Sequence, residues 1–128
     1  MWHDVRYQQD NLRENPAEEV KKVTYRPATD IYELKDGFKL LLEMPNVDRN
    51  SLKVYIKDNQ LHIEGEKKKP LDDGKFLLQE IRDVAFERVF ELGDDIDPDS
   101  IVARYEQGIL EISLKKKEKE PVKEIKIQ

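Results

Sequence analysis

Residues 101–114 read Ile-Val-Ala-Arg-Tyr-Glu-Gln-Gly-Ile-Leu-Glu-Ile-Ser-Leu, and they decide the fold class. In the second half of this stretch every other residue is apolar, and an alternation of period two indicates a β-strand with one buried face. Gln107-Gly108 separates candidate strands over 101–106 and 109–114, as in a β-hairpin with a two-residue turn. The stretch therefore predicts two neighbouring antiparallel strands.

The same alternation recurs along most of the chain. Asp36-Gly37 and Asp58-Asn59 are turn signals between alternating runs, and the second of them predicts another two-residue hairpin. About eight short, closely spaced strands favour an all-β fold, an antiparallel immunoglobulin-like β-sandwich over residues 27–114. The further candidate strands are 29–34, 38–44, 52–57, 60–65, 75–81 and 86–92.

The candidate strand 75–81 differs from the others. It follows the longest connection inside the domain, the polar segment 66–74 with its proline and glycine. Its start, Lys75-Phe76-Leu77-Leu78-Gln79, is apolar on both faces. Such a strand is covered on both sides within its own fold or is covered by a second chain.

Two tails flank the sandwich. The N-terminal arm, residues 1–26, has scattered apolar residues among balanced charges, so it cannot build its own core and is either mobile or docked on another surface. The C-terminal extension, residues 115–128, begins with a charge run and ends in Ile125-Lys126-Ile127. Two isoleucines two positions apart share one side of an extended strand, so this end is either a frayed terminus or a pair of apolar anchors for a sheet edge.

Composition excludes several classes of protein. Lys plus Arg number 23 and Asp plus Glu 28, for a net charge of −5, so no general attraction to nucleic acid is expected. The absence of cysteine excludes disulfides, thiolate catalysis and cysteine metal sites. No apolar run approaches the roughly 20 residues of a membrane span, and the first residues lack the apolar region of a secretory signal. A soluble, cytoplasmic protein without a membrane partner is the expectation.

Metal sites have weak support in the sequence. His3 and His62 are the two histidines and lie far apart, and His62 belongs to the polar face of its strand. The acidic loop 94–100 offers carboxylates to calcium but lacks the spacing of an EF-hand. Asp97 followed by proline is instead typical of a turn in which the carboxylate caps free backbone amides. No metal ligand is therefore predicted.

Catalysis has equally little support. Ser51, Ser100 and Ser113 have no histidine nearby in sequence and no nucleophile-elbow motif around them. The glycine-rich motifs that bind nucleotide phosphates are also missing. The lysine runs 67–69 and 115–117 are interleaved with acids and lack aromatic partners, which favours solvated loops. We therefore predict no catalytic residue and no cofactor.

Six short motifs occur along residues 27–128. They are Pro27-Ala28-Thr29-Asp30-Ile31-Tyr32-Glu33, Met44-Pro45-Asn46-Val47, Leu61-His62-Ile63-Glu64-Gly65-Glu66, Phe86-Glu87-Arg88-Val89-Phe90, Ala103-Arg104-Tyr105-Glu106-Gln107-Gly108-Ile109-Leu110 and Ile125-Lys126-Ile127. In this order and spacing they resemble the small heat-shock proteins, chaperones built on an alpha-crystallin domain. Asn46 stands where the family pattern has glycine, and asparagine tolerates the left-handed backbone conformation.

The resemblance implies a dimer made by strand exchange. In such a dimer, residues 74–81 reach across to the partner's sheet near 29–33. Arg88 matches a family position that supports the dimer or the fold. The residues implied in the exchanged strand are Phe76, Leu77, Leu78 and Glu80.

The resemblance also implies that the tail assembles dimers into a larger homo-oligomer. Ile125 and Ile127 would dock in a groove of a neighbouring subunit, between the strands 52–57 and 101–105. The residues available to line this groove are Leu52, Val54, Ile56 and Val102.

The implied function is that of an ATP-independent holdase, which binds unfolding client proteins and prevents their aggregation. Trp2, Val5 and Tyr7 in the N-terminal arm are candidate contacts for clients or for sister arms. One alternative is a monomeric β-sandwich module that acts as a co-chaperone. Another is an acidic hydrolase or a sugar-binding sandwich, which would need aromatic platforms in a cleft, whereas the one tryptophan lies in the arm.

Overall fold

A computed structural model describes residues 22–69, 73–118 and 125–127, and it confirms the predicted β-sandwich. Within these ranges there is no α-helix, and two single 3-10 turns lie at Arg49–Ser51 and Pro98–Ser100. The strands are β1 Val23–Tyr25, β2 Thr29–Leu34, β3 Gly37–Glu43, β4 Lys53–Lys57, β5 Gln60–Glu66, β6 Val84–Glu91, β7 Val102–Glu106 and β8 Ile109–Lys115.

The strands form two four-stranded sheets. The first sheet has the order β1-β6-β5-β4 and the second the order β2-β3-β8-β7. Neighbouring strands pair antiparallel, except that β1 runs parallel to β6. The edge strands are therefore β1 and β4 in the first sheet and β2 and β7 in the second.

The core lies between the sheets and is made by the alternating apolar residues. Leu61 and Ile63 of β5 belong to the same buried cluster as Leu110 and Ile112 of β8. Burying each such side chain contributes about 1.5–3 kcal/mol, so these central strands dominate the stability of the sandwich. The other buried apolar residues are Leu40, Leu42, Met44, Val47, Ile96 and Leu114.

Both predicted hairpin turns are present. Asp58 and Asn59 have φ of 51° and 63°, and Gln107 and Gly108 have φ of 49° and 79°. Two successive positive φ angles define the type I′ turn, whose twist matches that of the flanking strands. Asn46 also has a positive φ, 59°, at the position where the family pattern has glycine.

The acidic loop is a capped turn, as predicted. The Asp97 carboxylate accepts a hydrogen bond of 2.9 Å from the backbone N–H of Asp99, and Pro98 occupies the first position of the 3-10 turn. Asp48 makes the same cap at the other 3-10 turn, accepting from the N–H of Asn50 at 3.0 Å. These aspartates satisfy backbone donors that the short turns leave free.

Two elements differ from the predictions. The predicted strand 75–81 is absent, because no strand in the described part of the chain lies beside it to accept its backbone hydrogen bonds. In contrast, β1 lies inside the N-terminal arm, where the sequence predicts no strand. Its three residues pair with Val84–Phe86 of β6.

Candidate interaction surfaces

The segment 73–83, here called the exchange segment, leaves apolar side chains in solvent. Phe76 and Leu77 are about half exposed and Ile81 is 76% exposed, whereas the side chain of Leu78 is half-buried. Glu80, the fourth residue predicted for the exchanged strand, is exposed. Exposed apolar residues clustered in one segment mark an interaction site more often than a plain loop.

The edge strand β2 offers a second incomplete surface. It pairs with β3 on one side, and no other described strand pairs with its opposite side. Ile31, Tyr32 and Leu34 are each about half exposed. A free edge with apolar side chains can accept a further strand.

Arg88 links the two sheets at the beginning of β2. Its Nη1 donates to the Pro27 carbonyl oxygen at 2.8 Å and to Thr29 Oγ1 at 3.2 Å. Its guanidinium group also lies 4.8 Å from the centre of the Phe90 ring, within the range of a cation–π contact. Nε of Arg88 is buried and has no partner among the described residues. The arginine thus holds the start of the free edge strand against the first sheet.

The opposite flank carries the edges of β4 and β7. Arg49, just before β4, donates to the Tyr105 carbonyl oxygen of β7 at 2.5 Å, so the two edges run along the same side of the sandwich. The Tyr105 hydroxyl donates to the Met44 carbonyl oxygen at 2.6 Å and accepts from the N–H of Val47 at 3.1 Å. Three of the predicted groove residues, Leu52, Val54 and Ile56, are half-buried and pack against the core from this flank.

The fourth predicted groove residue lies on the other face. Val102 pairs with Ser113 and is 65% exposed on the outside of the second sheet. Ala103 pairs with the buried Ile112, so its side chain is directed toward the space between the sheets. The inner side of β7 therefore presents Ala103, next to Tyr105, in place of Val102.

The C-terminal anchor residues are fully available. Ile125 is 89% exposed and Ile127 is 98% exposed. The extension leaves the sandwich beside the acidic loop, where the N–H of Lys117 donates to the Asp95 carbonyl oxygen at 2.6 Å. The seven residues 118–124 can span about 25 Å when extended.

Ser51, Ser100 and His62, considered as catalytic or metal candidates, have structural partners. Ser51 Oγ donates to the Asp48 carbonyl oxygen at 2.7 Å, and Ser100 Oγ donates to that of Asp97 at 2.7 Å. The His62 ring stacks on Tyr55 at 4.8 Å on the outer face of the first sheet. In the ranges that the structure describes, no group of three or more metal-ligating side chains occurs, and His3 lies outside those ranges.

Charged groups on the outer faces shift a few pKa values. Partial burial and the hydrogen bond to Glu64 raise the pKa of Tyr55. A hydrogen bond from Lys22 lowers the pKa of Glu66, and one from Lys39 lowers the pKa of Glu111. These groups are well solvated, so the ion pairs add little to the free energy of unfolding.

No helix that is long and apolar enough to cross a membrane occurs among the residues with described structure. The described residues define a β-sandwich with four edge strands, an exposed apolar segment outside the two sheets and an exposed apolar tail. Exposed apolar side chains along sheet edges are typical of surfaces that contact other polypeptides.

The comparisons with known proteins give the family. The chain belongs to the Hsp20/alpha crystallin family, whose model matches residues 30–128. Small heat shock protein C2 of Rickettsia felis is 31% identical over 104 residues, which cover 80% of this chain and 68% of that protein. A probable 15 kDa heat shock protein of Leptospira interrogans is also 31% identical, covering 79% and 80%.

Solved structures agree with this assignment. A small heat-shock protein from Xylella fastidiosa, described as having a distinct high-order structure, is 29% identical with a TM-score of 0.66, covering 83% of this chain and 99% of that one. Heat shock protein 16.0 from Schizosaccharomyces pombe is 28% identical with a TM-score of 0.60, covering 81% and 99%. The family consists of small heat-shock chaperones, which are not enzymes.

Proposed function

We propose that this chain is an ATP-independent holdase that binds unfolding proteins in the cytoplasm and prevents their aggregation. The observation that carries the proposal is the half-exposed apolar surface of the exchange segment and of β2, on a chain of which 40% is charged. Apolar surface attracts the exposed cores of unfolding clients, and the high charge keeps the complex soluble.

The dimer follows from two incomplete surfaces on one subunit. The exchange segment has apolar side chains and pairs with no strand among the described residues, and β2 has an edge with apolar side chains that no described strand covers. In a symmetric pair, the segment of each subunit adds a strand to the β2 edge of the other. Phe76 and Leu77 then become covered, as the apolar pattern on both faces predicts.

The tail joins dimers into a larger homo-oligomer. Ile125 and Ile127 insert beside Val54 and Ile56 on the flank between β4 and β7 of a neighbour, where Ala103 leaves room on the opposite wall. Burying two isoleucine side chains yields about 3–6 kcal/mol. Ordering the seven residues of the tether offsets much of this gain.

Because each docked tail is weakly held, the assembly is reversible. A single tail exchanges readily, and the oligomer persists through many tails acting together. Warming or dilution releases dimers and uncovers the apolar surfaces. Clients that unfold under the same conditions then meet a chaperone that has become available.

The N-terminal arm gives the test of holdase activity. Trp2, Val5 and Tyr7 lie outside the described residues, and we expect them to contact clients. In a light-scattering assay with a thermally aggregating enzyme and no nucleotide, the wild-type chain should suppress scattering near equimolar ratio. Replacing all three residues with serine should raise the amount of chaperone needed several-fold, since three apolar contacts are lost.

A matched control replaces the nearby polar residues Gln8, Gln9 and Asn11 with serine and should leave suppression unchanged. Equal suppression by both triple variants would remove the client role of the apolar residues. The wild-type chain could instead fail to suppress scattering and have a molar mass near 15.2 kDa at every temperature. That result would contradict the holdase proposal and favour a monomeric co-chaperone.

The dimer has a separate test that uses the irregular backbone of the exchange segment. Replacing Leu77 and Leu78 together with proline removes two adjacent N–H donors, one of which must face the partner strand. The isolated subunit forms no strand here, so its sandwich should keep its circular dichroism spectrum. We expect native mass spectrometry to show monomers in place of dimers. Asp73→Pro, which lies before the predicted strand, is the control, and dimers that survive the double substitution would place the contact elsewhere.

A further inference from the structure

A large cavity lies between the exchange segment and the body of the sandwich. Its volume is about 780 Å³, and its mouth opens to solvent. Three lysines and two acidic residues line the cavity. The lysines, here called the lysine rim, are Lys67, Lys68 and Lys69, and the acidic residues are Glu80 and Asp83. The apolar side chains that line it are Pro45, Phe76, Leu78, Ile81, Val84 and Phe86. An apolar cavity of this size with a basic rim has the character of a site for an acidic, partly apolar segment.

The N-terminal arm enters the fold at the mouth of this cavity. The N–H of Val23, at the start of β1, donates to the carbonyl oxygen of Asp83 at 2.9 Å. The Lys22 ammonium pairs with Glu66, the residue next to the lysine rim. Val23 pairs with Val84 in the parallel register of β1 and β6, so the same direction continued backward would lead toward Ile81.

The sequence just before β1 has the complementary chemistry. Residues 12–20 read Leu-Arg-Glu-Asn-Pro-Ala-Glu-Glu-Val, with three carboxylates, one arginine and apolar residues at both ends. Opposite charges on two surfaces fix the register in which they bind and disfavour binding in other registers. Nine extended residues reach about 30 Å, so the segment is long enough to cross the cavity.

We propose that residues 12–20 occupy this cavity in their own subunit. Glu14, Glu18 and Glu19 face the lysine rim, and Val20 meets the apolar lining. The seated segment holds the exchange segment against its own sandwich, so arm docking and strand exchange exclude each other. The docking is independent of the proposed function, and the competition alone rests on the exchanged dimer.

The test measures distances within one subunit of the full chain. The chain has no cysteine, so Ala17→Cys and Lys75→Cys provide two spin labels for pulsed electron resonance. The labelled chain is measured at a concentration where native mass spectrometry shows single subunits, so that only distances within a subunit that has not exchanged its strand are recorded. We expect a narrow, short distribution for this pair. The control pair Ala17→Cys and Lys57→Cys, with its second label at the far end of β4, should give long distances.

Charge reversal decides whether the rim holds the arm. Glu18→Lys with Glu19→Lys should broaden the short distribution, and adding Lys68→Glu with Lys69→Glu should restore it. High salt should broaden it as well, because exposed charges are screened. A broad distribution in the wild-type background, or a short one that disappears on further dilution, would overturn docking within the subunit. A short distribution that survives charge reversal would overturn the proposed contact between the glutamates and the lysine rim. Client suppression is not part of this measurement, so a failed holdase assay leaves its outcome intact.

Discussion

The double variant Ile125→Ala, Ile127→Ala should convert the oligomer into dimers. Both isoleucines are almost fully exposed on the single subunit, so the substitution costs the isolated fold nothing. In the assembly, each truncated side chain loses most of the about 1.5–3 kcal/mol gained by its burial. Native mass spectrometry over a dilution series should show the mass falling to that of two subunits. The exchange segment is unaltered, so dissociation should stop there.

Lys126→Ala is the matched control for this prediction. Lys126 lies between the two isoleucines and points to the opposite side of an extended tail, so its loss should leave the mass distribution unchanged. An unchanged oligomer in the double variant would show that the tail does not join the subunits. Monomers in place of dimers would show that the tail also supports the strand-exchanged pair.

The same tail variant predicts a gain in client capture. With the flank of β4 and β7 permanently uncovered, more apolar surface is available at low temperature. In light-scattering assays, the variant should therefore suppress client aggregation at temperatures too low for the wild-type chain to do so. This result would connect assembly to activity, which mass alone cannot do.

Apart from the short β1, the strands whose partner lies in the same chain could be predicted from the sequence. The alternation at Leu110, Ile112 and Leu114 reports one buried face, and the structure buries all three side chains. The exchange segment has a continuous apolar run instead of this alternation. A strand also needs backbone partners, and no strand of the described part of one chain supplies them. The apolar pattern reports that a surface is to be covered and does not report which chain covers it.

Shorter features depend on register and tertiary contacts. Strand β1 has three residues, too few for a periodic pattern, and its place is set by parallel pairing with Val84–Phe86. Val102 lies on the outer face of its sheet because a shift of one position moves a side chain to the other face. Its pairing with Ser113 could have been anticipated from the two-residue turn at Gln107-Gly108.

The sequence singled out Arg88 by its motif, and the structure shows which atoms its side chain contacts. The motif resemblance implies a role in the dimer or the fold. The hydrogen bonds to Pro27 and Thr29 show how one side chain can serve both, since they hold the start of the edge strand that we expect a partner to extend. A change at Arg88 should therefore affect the stability of the subunit first and the dimer through it.

Arg88→Ala should lower the free energy of unfolding by about 3 kcal/mol, since hydrogen bonds to a charged group contribute about 1.5–3 kcal/mol each. The stacking on Phe90 is lost as well, and the Pro27 carbonyl oxygen loses a donor. The melting temperature should fall by about 10 °C. Denaturation is best followed at fixed subunit concentration, because assembly adds to the apparent stability.

Two further substitutions separate the role of Arg88 from that of an arginine in general. Arg104→Ala removes surface ion pairs with Glu106 and Glu111, at 3.9 and 3.4 Å, and should change the free energy of unfolding by less than about 1 kcal/mol. Arg88→Lys keeps the charge but loses the planar guanidinium, so it should fall between wild type and Arg88→Ala. If Arg88→Ala and Arg104→Ala have the same free energy of unfolding, the contacts of Arg88 between the two sheets do not stabilise the subunit. A dimer that then still dissociates would assign Arg88 to the partner contact alone.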